Sequence, residues 1–211
     1  MTTSRILNSA VAIIVAMVTL YASPAQSQRR VELVAMAGYR AGGGLNVEGG
    51  DLKIENSPVL TAALDIRLTS GVQLELAYSR QDTRMKVEGD PLGGAVGDFD
   101  MAVIYYQAGL LIQARNDRAL KPFALITLGA TQFDPEPADF GSETRFSMVL
   151  GGGLKLHVAG PLALRAQASL LHTFVNSQGE ILCAGSAGCF QVSGGNLVIQ
   201  ADASLGVILA F

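Results

Sequence analysis

The two histidines, His157 and His172, and the serines close to His172 in the chain are the first candidates for nucleophilic chemistry in this sequence. Such chemistry needs a nucleophile with a base and an orienting group within reach. His172 follows Ser169 and precedes Ser177 in the chain, but strand alternation puts His172 and Ser169 on opposite faces. His157 lies beside Lys155, on the face that we expect to join an interior polar network. We therefore predict no catalytic residues, and a lipid-modifying enzyme stays an alternative.

Two cysteines, Cys183 and Cys189, are separated by the small residues Ala-Gly-Ser-Ala-Gly. Exported proteins fold in an oxidising compartment, so we predict that these cysteines form a disulfide that closes a short loop. A metal site is the alternative, but two cysteines alone supply too few ligands. The glycine runs at 42–44 and 151–153 are not followed by the Lys-Ser/Thr of a phosphate-binding loop. We expect no metal ion and no cofactor.

The first residues of the chain are typical of an export signal. Arg5 precedes an apolar run over 6–22, and Ala25-Gln26-Ser27 forms a small-x-small cleavage pattern. We predict a cleavable signal-peptide helix over 1–27, followed by one mature domain over 28–211. A retained membrane anchor is the alternative, but the apolar run is short for a spanning helix and a proline follows it.

The composition restricts the class of protein. The chain is 49% hydrophobic and only 16% charged, yet no later segment has the unbroken apolar run that a spanning helix needs. Strands with one apolar face reconcile these observations. The formal net charge of -3 provides no basic surface, so we expect no nucleic-acid partner.

Alternation of apolar and polar residues predicts strands along the chain. From Leu197 to Phe211 every second residue is apolar, and the residues between them are mostly small or polar. The same rhythm predicts eight strands, over residues 31–40, 58–68, 72–82, 100–115, 121–133, 144–158, 162–175 and 196–211. Short connections alternate with longer ones rich in Gly, Asp, Glu, Pro or Ser, as in bacterial outer-membrane barrels. The longer connections, which we expect to be outer loops, cover 41–57, 83–99, 134–143 and 176–195. We predict an all-β fold, an eight-stranded antiparallel up-and-down transmembrane β-barrel in the bacterial outer membrane, with a soluble exported β-domain as the structural alternative.

The residues predicted to point inward carry balanced charge. An eight-stranded barrel is just wide enough for its side chains to fill the interior, and enclosed charges need partners. Four acids and four bases make up the predicted network: Glu32, Asp65, Glu75, Asp202, Arg67, Arg145, Lys155 and Arg165. We expect a packed polar interior without a through-channel, and a narrow channel for small or amphipathic solutes is the alternative.

Aromatic residues predict the edges of the membrane. The outer girdle is expected to contain Tyr39, Tyr78, Phe133, Phe146 and Phe174, with Phe123 and Phe211 at the inner edge. If Phe123 and Phe133 both point outward, their separation along one strand climbs about 25 Å, roughly the height of the apolar band of such barrels. Scattered core aromatics are the alternative.

The mature chain resembles the small outer-membrane β-barrel proteins of the OmpA/OmpX-like type. The stretches that carry the resemblance are 37–44, 73–83, 122–131 and 142–147, extended by the Gly-Gly-Gly-Leu-Lys run and the cysteine loop. The resemblance implies the fold and the location, and it brings no activity, ligand or catalytic residue. The pattern formed by Ser204, Gly206, Leu209 and Phe211 resembles the signal by which the barrel-assembly machinery recognises its clients.

A rigid barrel with long outer loops favours a function carried by those loops. We expect a non-enzymatic monomer that acts in surface interaction or envelope integrity. Its expected partners are outer-membrane lipid and lipopolysaccharide, and the barrel-assembly machinery during biogenesis. The alternatives are the narrow channel and an enzyme that modifies lipid A.

Overall fold

The computed structural model describes residues 30–89, 97–114, 119–136, 141–175, 180–184, 188–194 and 197–211. Within these ranges the chain forms strands β1 (Val31–Gly42), β2 (Gly44–Val47), β3 (Gly50–Ile54), β4 (Ser57–Arg67), β5 (Val72–Gly89), β6 (Phe99–Gln113), β7 (Leu120–Pro135), β8 (Glu143–Ala159), β9 (Leu162–Phe174), β10 (Glu180–Ala184), β11 (Gly188–Gly194) and β12 (Leu197–Ala210). The predicted signal peptide over 1–27 lies outside the described residues. No helix in the described ranges is long and apolar enough to cross a membrane.

Eight long strands close into an antiparallel barrel, which confirms the predicted fold class. Around the wall the order is β1, β4, β5, β6, β7, β8, β9 and β12, and β12 pairs with β1 to complete the circle. The first and last described residues meet at one end, where Arg30 N donates to Phe211 O at 2.8 Å. We call this the lower end, and the opposite end, to which the longer connections lead, the upper end. In a bacterial barrel with short periplasmic turns, the lower end faces the periplasm.

Strand alternation separates a polar inside from an apolar outside. On β5, Gln73 and Glu75 are buried in the barrel, whereas Leu76 and Tyr78 are exposed on its outer surface. The inward and outward faces predicted for β5, β8, β9 and β12 agree with this arrangement. The outer surface around the middle of the barrel is therefore a continuous apolar band, as lipid tails require.

The prediction for β7 was wrong by one residue, because Phe123 and Phe133 point into the barrel. Both are almost fully buried, at 6% and 1% exposure, while Ile126 and Leu128 face outward. Neither phenylalanine belongs to an aromatic girdle, so the height estimate drawn from their separation fails. The inward face of β7 is apolar at both ends, and hydrophobicity alone therefore does not decide its register.

The segments predicted as two long outer loops, 41–57 and 176–195, contain four short strands. Each continues a barrel strand that it adjoins in the chain: β2 follows β1, β3 precedes β4, β10 follows β9 and β11 precedes β12. They keep the neighbours of the strands they continue, because β3 pairs with β5, β2 with both β3 and β11, and β11 with β10. The barrel wall thus extends upward past the break at Gly43, whose φ of 104° suits glycine.

The extended wall closes again at its top. Between β10 and the start of β8, Gly141 N donates to Cys183 O at 3.3 Å and Leu182 N donates to Glu143 Oε2 at 2.9 Å. The 18 residues of β5, at about 3.3 Å each and a tilt of about 40°, climb roughly 45 Å, against an apolar band of about 25 Å. The upper wall therefore stands well clear of the membrane.

Apolar side chains fill the upper part of the barrel. The inward residues of β2 and β3 alternate with exposed ones and meet those of the long strands in one buried cluster. We call the upper part of this cluster the upper cluster; its members include Leu45, Val47, Leu52, Ile54, Met85, Met101, Phe133, Ile181, Leu182, Phe190, Val192 and Val198. The top of the barrel is therefore an apolar core. In the lower and middle parts the predicted polar side chains share the interior with buried apolar ones such as Leu111, Leu125 and Ile208.

Candidate functional site

Three carboxylates lie side by side on the inward face of β1, β4 and β5. The strand register places Glu32 next to Asp65 and Asp65 next to Glu75. All three are buried, and like charges on neighbouring strands destabilise a sheet. These residues, which we call the acid row, need cations from another part of the wall.

Three cations form a second row on the opposite part of the wall, along β7, β8 and β9. The register places Lys121 next to Lys155 and Lys155 next to Arg165. We call these residues the base row. Strand β6 separates the two rows on one side of the barrel, and β12 separates them on the other.

The two rows meet inside the barrel. Lys155 Nζ donates to Glu32 Oε2 at 2.6 Å and to Asp65 Oδ2 at 2.8 Å. Arg165 donates to Asp65 Oδ2 at 3.2 Å and to Glu75 Oε2 at 2.7 Å. Each carboxylate of the acid row is thus paired with Lys155 or Arg165 from across the barrel, and the contact closes the lumen at this level.

Neutral side chains complete the lower network. Gln73 donates to Glu32 Oε1 at 2.9 Å and accepts from Lys155 Nζ at 2.7 Å. The Phe123 ring lies against both cations, 4.7 Å from Arg165 Cζ and 5.9 Å from Lys155 Nζ. This contact gives the inward position of Phe123 a physical reason, since an aromatic face attracts a desolvated cation.

A second charged pair lies nearer the middle of the barrel. Arg40 donates to Asp202 Oδ2 at 2.9 Å and to Ser79 Oγ at 2.9 Å. Its guanidinium carbon lies 4.8 Å from the centre of the Tyr105 ring. The Tyr105 and Thr173 hydroxyl oxygens share a hydrogen bond of 3.0 Å, so polar contacts bridge the barrel at this level too.

Two predicted members of the interior network lie away from its centre. Arg67 is at the lower end, with Nη2 3.8 Å from Glu32 Oε1. Arg145 pairs with Glu143 near the upper end of β8. Along that strand Arg145 is some 30 Å from Lys155 at about 3.3 Å per residue, too far to share the acid row. The prediction that placed Arg145 in the same network is therefore wrong.

The outward aromatic residues form pairs near the upper edge of the apolar band. Tyr39, Tyr78, Phe146 and Phe174 are all exposed on the outer surface. The Tyr78 ring centre lies 5.5 Å from that of Tyr106, and those of Phe146 and Phe174 lie 5.6 Å apart. Such rings suit the boundary between lipid tails and water.

The predicted disulfide is confirmed. Cys183 of β10 is bonded to Cys189 of β11, at positions that face each other in the strand register. The residue before the first cysteine, Leu182, has a φ of 52°, in the left-handed region that side chains rarely adopt. The disulfide therefore restrains the hairpin at the point where its backbone departs from a regular strand.

The C-terminal pattern lies on the strand that closes the barrel. Ser204 and Gly206 face inward on β12, and Phe211 is exposed outside, below Leu209. A side chain at position 206 would meet the backbone oxygen of Ala35 at 2.2 Å, so glycine allows β12 to approach β1. Recognition of this pattern by the assembly machinery stays a prediction.

Within the described part of the chain, neither histidine is placed with Ser169 as a base with its nucleophile. His172 faces outward on β9, whereas Ser169 faces inward and accepts a hydrogen bond from Gln167 Nε2 at 2.9 Å. His157 lies at the lower end of β8. Ser177 lies outside the described residues.

Charged residues replace apolar ones on the outer surface above the aromatic pairs. Arg84 Nε lies 2.9 Å from Asp100 Oδ1, and Lys86 Nζ lies 2.6 Å from Glu55 Oε1. The hydrogen bond to Glu55 and its charge raise the pKa of Lys86 above its ordinary value. These exposed pairs stabilise the fold little, but they mark where the wall leaves the lipid.

Sequence reasoning missed Arg40, Tyr105 and Lys121. Arg40 shares the inward parity of Glu32 on a strand that was predicted correctly, so the signal was present. Lys121 shares the parity of Phe123, and a register that kept this lysine out of lipid would also have placed the phenylalanine inside. Tyr105 shares the parity of Gln107 and Gln113 on β6, so alternation indicated its inward position, but not its contacts with Arg40 and Thr173.

Comparisons with known proteins agree with this geometry. A family model described as outer membrane protein beta-barrel domain matches residues 10–202. The crystal structure of Neisserial surface protein A is similar with a TM-score of 0.55 and 14% identity, over 86% of this chain and 97% of that one. The crystal structure of the outer membrane protein OprG from Pseudomonas aeruginosa has a TM-score of 0.57 and 11% identity, over 88% of this chain and 98% of that one. The solid-state NMR structure of the outer membrane protein AlkL has a TM-score of 0.54 and 15% identity, over 90% of this chain and 95% of that one. No curated protein matches the chain.

The lower network predicts a large effect of Lys155. Lys155→Met leaves Glu32 and Asp65 without their shared cation, and we expect a loss of roughly 3 kcal/mol or more in unfolding free energy. The matched control is Lys53→Met, which removes an exposed pair with Glu88 and should change stability by less than about 1 kcal/mol. Urea unfolding of the refolded protein, followed by circular dichroism, measures both; equal losses would contradict the role of the network.

Proposed function

Because the chain belongs to the outer membrane protein beta-barrel domain family, we propose that it is a closed, non-enzymatic barrel of the bacterial outer membrane that presents its upper wall as a rigid surface for interaction. The observation that carries the proposal is the filling of the barrel by two successive layers. The acid and base rows occupy the lower part, and the upper cluster occupies the top.

The two layers are barriers of different chemistry. A hydrated solute would have to displace the ion pairs of Arg165, which is 1% exposed. It would then meet the upper cluster, where Leu52 and Phe133 are each 1% exposed and offer no polar partner. Desolvating a polar or charged solute against such side chains is unfavourable. Two unlike barriers in series support a lumen that does not conduct.

The upper wall supports a role at the cell surface. Its hairpins share one apolar core with the membrane barrel, and the Cys183–Cys189 disulfide restrains one of them. Such a wall keeps its shape, so a partner need not bear the entropy of ordering a flexible loop. Its exposed charges lie just above the apolar band, where they would meet lipopolysaccharide head groups. We propose a monomer whose partners are these lipids and molecules outside the cell.

A narrow channel for small or amphipathic solutes is the second candidate, because cavities lie in line along the barrel. A cavity of about 140 Å³ opens at the lower end, one of about 40 Å³ lies between the charged pairs, and one of about 10 Å³ lies in the upper cluster. Packed side chains separate them in the structure, so conduction would require those side chains to move.

Conductance across planar bilayers separates the two candidates. We expect no discrete current steps from the wild-type barrel. The double variant Arg165→Ala/Glu75→Ala removes both members of one ion pair, so neither of them is left unpaired. We expect no current steps from it, because the upper cluster still closes the lumen. The triple variant that also carries Phe133→Ala has less apolar packing in the upper cluster and should produce discrete current steps. Regular steps from the wild type would contradict the closed barrel and favour the channel.

Contact with lipopolysaccharide is tested by thermal stability in mixed micelles. We expect lipopolysaccharide to raise the unfolding temperature more than a zwitterionic phospholipid does, because phosphate groups can pair with Arg84 and Lys86. The variant Arg84→Ala/Lys86→Ala should lose most of that difference. Replacement of the lower-end cation Arg30, which is exposed at the periplasmic end, is the matched control. An equal gain with both lipids would argue against this partner.

A further inference from the structure

The cavity at the lower end is a vestibule with an excess of cations. Its lining includes three cations, Arg67, Lys121 and Lys155, with the His157 side chain beside them, and the one carboxylate among the described residues that line it is Glu32. At about 140 Å³ the vestibule has room for several water molecules or a small ion. Its position places it in contact with the periplasm.

The carboxylate of Glu32 already has partners within the barrel. Glu32 accepts from Lys155 at 2.6 Å and from Gln73 at 2.9 Å, and Arg67 Nη2 lies 3.8 Å from it. Lys155 Nζ donates its three N–H groups to Glu32, Asp65 and Gln73. Neither member of this pair is available to a ligand in the vestibule.

Two other cations have donors to spare. Lys121 lies beside Lys155 in the strand register and makes no ion pair within the described ranges. Arg67 Nε is buried and has no hydrogen-bond partner in the described part of the chain. A buried donor without a partner is unfavourable, and two neighbouring lysines repel each other. Arg67 and Lys121 both line the vestibule, so one anion in it would lie close to both positive charges.

We propose that the vestibule binds a small oxyanion, a carboxylate or a phosphate, from the periplasmic side. Lys121 and Arg67 supply the charged donors, and the Gln113 side chain, which lines the same cavity, adds a neutral amide. Carboxylate and phosphate oxygens share the charge and hydrogen-bonding that these donors require. This site is independent of the upper wall and of whether the barrel conducts.

Calorimetric titration of the refolded protein in uncharged detergent tests the site, with sodium phosphate and sodium acetate in separate experiments at low salt. We expect saturable binding of at least one of them, and the stronger of the two identifies the class of ligand. Lys121→Gln should weaken binding at least about tenfold, and Lys121→Arg should retain it because the charge is kept. Lys53→Gln, on the outer surface of the upper wall, is the matched control and should bind as the wild type does.

The outcomes are distinguishable from a loss of folding. Lys121 makes no ion pair within the described ranges, so we expect the glutamine variant to keep the circular dichroism and the heat-dependent gel migration of the folded barrel. Absence of saturable heat with both anions would overturn the proposal. Equal affinity of the Lys121→Gln and Lys53→Gln proteins would overturn it as well.

Discussion

Attraction between opposite charges across the lumen is the interaction on which the lower barrel depends. Strand pairing puts Glu32, Asp65 and Glu75 in one row, and Lys155 and Arg165 in another, so each half of the wall repels itself. Only a closed cylinder brings the rows together, at 2.6–3.2 Å. Closure of the sheet and neutralisation of its buried charge are thus the same event, and a gap in the wall would leave ions uncompensated in a low-dielectric surrounding.

The upper part of the barrel depends on a different force. There the wall leaves the lipid and its outer surface meets water. Its inward side chains are apolar, so burial of hydrocarbon inside the barrel stabilises this part as in a soluble protein. The outer surface changes in the opposite sense, from the apolar band to the charged pairs above Tyr78. This exchange of polarity between inside and outside explains how one set of strands serves both a membrane segment and a segment above the membrane.

Much of the fold could be predicted from alternation alone, and its failures have physical causes. On β5, β9 and β12 one face is polar and the other apolar, so the inward face was identified correctly. On β7 the inward face carries phenylalanine at both ends, and the register was misread. The hairpin strands were taken for loops because glycine and aspartate interrupt them, although Leu45, Leu52 and Ile54 alternate with polar residues. Which acid meets which base could not be predicted, because partners on opposite walls are set by strand register around the whole cylinder and not by spacing in the chain.

The most direct measurement is a double-mutant cycle between Arg165 and Glu75, whose side chains lie 2.7 Å apart. The unfolding free energies of the wild type, Arg165→Met, Glu75→Gln and the double variant, measured in lipid vesicles, give the coupling between the two walls. The sum of the two single losses in unfolding free energy should exceed the loss in the double variant by about 1–3 kcal/mol. The reason is that the second substitution removes a charge that the first has left unpaired. If the loss in the double variant equals the sum of the two single losses to within about 0.5 kcal/mol, the claim that opposite charges hold the barrel closed is contradicted.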